Sequence, residues 1–118
     1  MKTDRELLEL AARAAELKIH TRAQAERDAL IDPATASLWL ASGQTGWNPL
    51  ADDGDALRLA VKLRIKCRYN ESLGQGLSWL FGPSYEVAVN MEDCGRDECA
   101  AVRRAIVLVA AMVGEKMP

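Results

Sequence analysis

The apolar positions between residues 56 and 69 change period once, and that change organises the rest of the chain. Ala56, Leu59, Ala60 and Leu63 recur on one helical stripe, with Leu57 and Val61 beside it. Only Arg58 and Lys62 interrupt this helix, so it is expected to lie largely buried. At Arg64 the period drops to two. Ile65, Cys67 and Tyr69 then alternate with Arg64, Lys66 and Arg68, which predicts a strand over 64–69 whose first set points inward. Upstream, Asn48-Pro49 marks a turn, because the residue before proline is pushed out of the helical region. Asp52, Asp53 and Asp55 follow, and carboxylates there accept free backbone N–H groups and complement the positive end of the helix dipole. Asp53 is the expected N-cap.

Similar patterning sets out the remaining elements. Thr3 and Glu6 form a capping box ahead of a stripe of Leu7, Leu8, Ala11, Ala12 and Ala15. Between Lys18 and Asp32 two readings stay open: a second, polar helix from Thr21 to Leu30, or a continuation of the first. Asp32-Pro33 ends either one. Short strands are predicted at 38–41 and 84–90, with a further short one near 17–20. Residues 84–90 are expected to pair antiparallel with 64–69, so that Glu86 meets Lys66 or Arg68. The glycine-bearing connection 70–83 reads as a long loop carrying Leu77, Trp79, Leu80 and Phe81. Asp97 caps a closing helix with a buried stripe of Val102, Ala105, Ile106, Val109, Met112 and Val113. Arg103 and Arg104 point away from it, and Gly114 occupies a C-cap glycine position. Three helices and an antiparallel sheet of three to four strands make an α+β fold in α/β/α-like layers, a single domain over 1–118.

Composition narrows the functional classes. Hydrophobic residues make up 49% and charged residues 27%, ordinary values for a globular chain. Aromatics are 5%, so Ala, Leu and Val carry the packing. A net charge of −2 and pI near 5.4 disfavour non-specific attraction to nucleic acid or anionic membranes. Three irregularly spaced cysteines fit a reducing cytosol better than a disulfide framework. Neither a signal-peptide core nor a run of about 18 apolar residues occurs, which predicts a soluble cytoplasmic protein with no membrane partner.

Candidate chemistry is sparse. The aspartates at 52, 53 and 55 lack calcium-loop spacing, and helix capping accounts for them. His20 is the only histidine, so neither a His-based metal cluster nor a Ser–His–Asp arrangement can be built. Cys94 and Cys99 are five apart rather than in a C-x-x-C pair. No cofactor, metal or catalytic residue is assigned, and an enzyme is not expected. Arg64, Lys66 and Arg68 form a basic row suited to an acidic ligand or nucleic acid, unless Glu86 neutralises it or a helix covers it. Leu77, Trp79, Leu80 and Phe81 either fold back as a lid or anchor a partner protein, since aromatics supply much of interface binding energy.

The segments Asp4–Ala15, Trp47–Leu63 and Arg104–Gly114 together resemble a group of small tailed-phage and prophage proteins. Their shared pattern is an aromatic-Asn-Pro-Leu turn, then D-D-G-D-A-L-R-L-A-V-K-L, with alanine-rich helices at either end. More distantly, the chain is similar to the phage ABA sandwich domain. The stretch from Leu17 to Leu40 departs from the pattern, being longer and more polar. The resemblance implies a phage origin and a role in the infected cell's cytosol; it carries no activity and no functional residue. The leading expectation is a non-enzymatic accessory protein that binds a host or phage macromolecule, a protein foremost, in a host-takeover or anti-defence role and with homodimerisation open. A nucleotide-signal binder and a nucleic-acid binder through the basic row are the alternatives.

Overall fold

The computed structural model describes residues 2–32, 37–41, 45–81 and 83–118. Its elements run α1 (Asp4–Ala14), α2 (Thr21–Leu30), β1 (Leu38–Trp39), β2 (Gly46–Trp47), α3 (Asp53–Leu63), β3 (Lys66–Asn70), β4 (Gln75–Trp79), β5 (Val87–Asn90) and α4 (Glu98–Glu115). Short 3₁₀ turns flank β5 at Pro83–Tyr85 and Met91–Cys94. The fold is α+β, with one more helix than the sequence pattern predicted, because α2 is separate from α1.

The apolar sequence of α4 explains the layering. Ala101, Ala105, Ile106, Val107, Val109, Ala110 and Ala111 are buried around its whole circumference, so the helix sits between two partners rather than on a surface. On one side lies α1, which buries Leu7, Leu8, Ala11 and Ala12. On the other lies the antiparallel sheet β3-β4-β5. Small residues bring the backbones close. A Cβ on Gly114 would stand 2.0 Å from the Leu10 carbonyl oxygen, and one on Gly76 would stand 2.4 Å from the Ala101 carbonyl carbon. Gly114 is therefore the closest approach of α1 and α4, not a C-cap, and α4 continues through Glu115 to a cap at Lys116. Arg103 and Arg104 do not simply point away either. Arg103 Nε donates to the Leu50 carbonyl and Nη1 to Asp53, while Arg104 Nη2 donates to Asp4.

The start of α3 divides its aspartates among three tasks. Asp52, one residue earlier than expected, is the N-cap and accepts from Asp55 N at 2.8 Å. Asp55 accepts from Asn48 N and from Arg58, which ties the tryptophan turn to the helix. Asp53 faces Arg103 on α4 at 2.6 Å. The helix ends with Arg64 in the left-handed conformation, φ 61°, so Arg64 is a C-cap rather than a strand residue.

Polar bonds rather than an apolar stripe hold α2. His20 caps it through Nδ1, which accepts from Ala23 N at 3.1 Å. Gln24 is buried; its Oε1 accepts from Trp39 N at 2.6 Å and its Nε2 donates to Asp28. Asp28 forms a two-pronged pair with Arg5 of α1, and Arg27 stacks on the Trp39 ring at 4.8 Å. The predicted strand near 17–20 is a single bridge, Ile19 to Leu40, and 38–41 reduces to two strand residues paired with β2.

Candidate functional site

The expected pairing of 64–69 with 84–90 is replaced by an intervening strand. Residues 75–79, read from sequence as loop, form β4, which pairs with β3 on one side and β5 on the other. Glycine at 76 is required there because the α4 backbone leaves no room for a side chain. Within β4, Gly76 and Ser78 face α4, where the Ser78 hydroxyl donates to the Ala105 carbonyl at 2.5 Å. Leu77 and Trp79 alternate to the opposite, outer face.

That outer face carries the candidate site. The register sets Lys66 opposite Trp79 and Arg68 opposite Leu77. Glu86 closes the far side of a shallow cleft of about 400 Å³ lined with Arg68, Leu77 and Trp79. The expectation that a helix covers the basic row does not hold. α4 packs on the inner face, and among the described residues no helix covers the outer one. Nor does Glu86 neutralise the row: among the described residues neither Lys66 nor Arg68 is within ion-pair distance of a carboxylate. Lys66 and Arg68 are exposed, and Leu77 and Trp79 are half-buried.

The four apolar residues of the expected lid or anchor are split. Leu80 is buried in the core and available to no partner. Phe81 is 92% exposed and holds φ at +65°, a conformation that costs a bulky residue about 1 kcal/mol. Its ring meets Tyr85 edge-on at 6.3 Å. Leu77 and Trp79 thus stay with the face, Phe81 lies beyond the end of β4 against Tyr85, and Leu80 is in the core, while the basic row shortens to Lys66 and Arg68.

A second surface escaped the sequence reading. Leu57 is 64% exposed and Val61 69%, so α3 is apolar on its solvent side as well as its core side. Leu57 borders a groove of about 300 Å³ between α3, β3 and α4, lined also by Ala56, Ala60, Cys67, Tyr69 and Val102. The placement of Leu57 and Val61 off the main helical stripe, four residues apart, was the available signal. Cys67, expected inward, lies on the α4 side but faces this open groove, because β3 is an edge strand that α3 and α4 cover only in part. Partial burial pushes its thiol pKa up, and burial does the same to Cys94, so both stay protonated at neutral pH and are poor nucleophiles. Among the described residues no group of three or more His, Cys, Asp or Glu side chains is placed to hold a metal ion. No helix among them is long and apolar enough to cross a membrane.

Comparison with family models, with curated proteins and with solved structures finds no match to the chain.

Proposed function

We propose that this protein works by binding another protein through the outer face of β3-β4-β5, as a phage-encoded accessory factor without catalysis of its own. The observation that carries the reading is the outer face, on which Trp79 and Leu77 lie against Lys66 and Arg68 with no helix over them among the described residues. Aromatic residues beside a basic flank are the composition of interface anchors, where Trp and Arg dominate binding energy. Phe81, two residues beyond Trp79, adds a second exposed aromatic ring, held in a left-handed conformation and meeting only the edge of Tyr85 among the described rings. The phage origin rests on the sequence pattern alone and places the partner in the infected cell.

Immobilised wild type and a Trp79→Ala/Phe81→Ala double variant, each exposed to lysate of an infected bacterium with and without nuclease treatment, test the reading. Proteins retained by wild type and lost by the variant support it. Equal recovery by both would refute it, and capture that vanishes on nuclease treatment would transfer the face to nucleic acid.

A further inference from the structure

β3 is the edge of its sheet, and the hydrogen-bond pattern shows which of its backbone groups are unpaired. Met91 N donates to Gly74 O at 2.9 Å, which makes Gly74 and Met91 a hydrogen-bonded pair at the end of the β4–β5 ladder. Such pairs alternate along an antiparallel ladder, so Gly76 and Ser78 also bond toward β5, while Gln75, Leu77 and Trp79 bond toward β3. Their partners Asn70, Arg68 and Lys66 therefore spend their N–H and C=O groups on β4. Those of Cys67 and Tyr69 are left on the free edge.

The two sides of this edge differ in chemistry. A strand added to β3 would continue its alternation, with one set of side chains beside Lys66 and Arg68 on the outer face. The other set would lie beside Cys67 and Tyr69, over the groove bordered by Leu57 and Ala60. The outer positions call for carboxylates, because both cations are exposed and, among the described residues, neither is within ion-pair distance of a carboxylate. The inner positions call for apolar side chains. We propose that the β3 edge takes up an extended segment of a partner protein, acidic and apolar at alternate residues, as an additional strand of the sheet. This rests on the protein-binding reading above and specifies the partner's chemistry. A peptide suits the edge better than a nucleic acid does. Its backbone satisfies the open N–H and C=O groups and its apolar side chains fill the groove, whereas a phosphate chain does neither and meets a net charge of −2.

The test uses a fluorescein-labelled peptide of about seven residues in which glutamate alternates with valine. Three controls accompany it: the same peptide with lysine for glutamate, the same peptide N-methylated at alternate amides along one edge and then the other, and a single-stranded DNA oligomer. Fluorescence anisotropy at low salt reads binding. The expected result is binding of the glutamate peptide at least tenfold tighter than the lysine peptide. Binding should be lost on methylation along one edge only, and weakened about tenfold in a Lys66→Glu/Arg68→Glu variant whose melting curve matches wild type. The N-methylated peptides need no protein variant, so the test survives should that variant misfold. No binding, binding indifferent to methylation, or preferential binding of DNA would each overturn the proposal. Failure here with Trp79-dependent capture intact removes the edge site alone. Peptide binding together with loss of that dependence removes the outer-face reading alone.

Discussion

Replacing Gly114 by alanine tests the layering directly, because helix propensity and packing predict opposite signs. In an unconstrained helix Gly→Ala gains about 1 kcal/mol. Here the new methyl carbon would stand 2.0 Å from Leu10 O, against an ordinary C···O contact of about 3.3 Å. The obstacle is a backbone carbonyl and cannot rotate aside, so α1 and α4 must separate by roughly 1.3 Å, the difference of those two distances. A gap of that order forfeits a quarter to a half or more of the dispersion energy where Leu7 and Ala11 meet α4. Overpacking typically costs about 1–3 kcal/mol, and a rigid obstacle puts this site at the upper end. Net of the propensity gain, the variant should lose about 2 kcal/mol, a fall in Tm of roughly 8 °C for a domain of this size. Gly54→Ala is the matched control. Its nearest neighbours are side-chain ends rather than backbone, the capping Asp52 Oδ2 at 3.1 Å and the exposed Arg58 guanidinium at 3.2 Å, which yield by a few tenths of an ångström, so it should melt close to wild type. Circular-dichroism melts of both decide the matter. A Gly114→Ala protein as stable as wild type would mean that α1 does not dock as described.

Gln24→Ala leaves the half-buried Trp39 amide without its acceptor; it should cost about 1–3 kcal/mol and speed hydrogen exchange at Trp39 more than in α4. Two carboxyls tie pH to stability. Hydrogen bonds from Arg5 hold the pKa of Asp28 below the usual carboxylate range, and bonds to Thr3 do the same for Glu6. A pKa lower in the folded than in the unfolded chain adds stability above the ordinary carboxylate range and loses it as pH falls through the folded value. Acid titration below about pH 4 should therefore destabilise the protein, and Asp28→Asn should flatten part of that limb; an unchanged profile would remove the Arg5 pairing from the account. Phe81→Gly relieves a left-handed backbone at a residue with little packing, so it should raise stability by about 1 kcal/mol while lowering partner capture. A less stable variant would show that the Tyr85 contact outweighs the strain.

Where local chemistry is self-sufficient, the sequence was legible. The Thr3–Glu6 capping box, the Asp97 cap and the α3 stripe appear as their residues dictate, whereas the helix opening at Thr21 was one of two readings that the polar stretch 18–32 left open. The N-cap of α3 was misplaced by one residue because adjacent aspartates satisfy the same local rule; the distant Arg103 decides which of them turns toward α4. β4 was hidden by its glycine. Gly76 reads locally as a flexible loop residue, yet it marks the crossing of a helix whose nearest residues lie some 25 positions downstream. Gly114 misled in the same way. Alternation predicted a strand over 64–69, two residues early at its start, but not its place at the sheet edge, so Cys67 was turned toward a core that ends short of it. The outer face was illegible for the same reason. Trp79 and Lys66 became neighbours only once the hairpin register was known.

The cations on β3 have a further consequence for the behaviour of the protein at high concentration. Were two molecules to join antiparallel through this strand about Cys67, Lys66 of each would lie across from Arg68 of the other, and the repeated repulsion would oppose the union. The residues that make the margin hospitable to an acidic chain thus act as a safeguard against fibril-like stacking. Concentrated salt weakens that safeguard, which makes ionic strength the condition under which solubility should first decline.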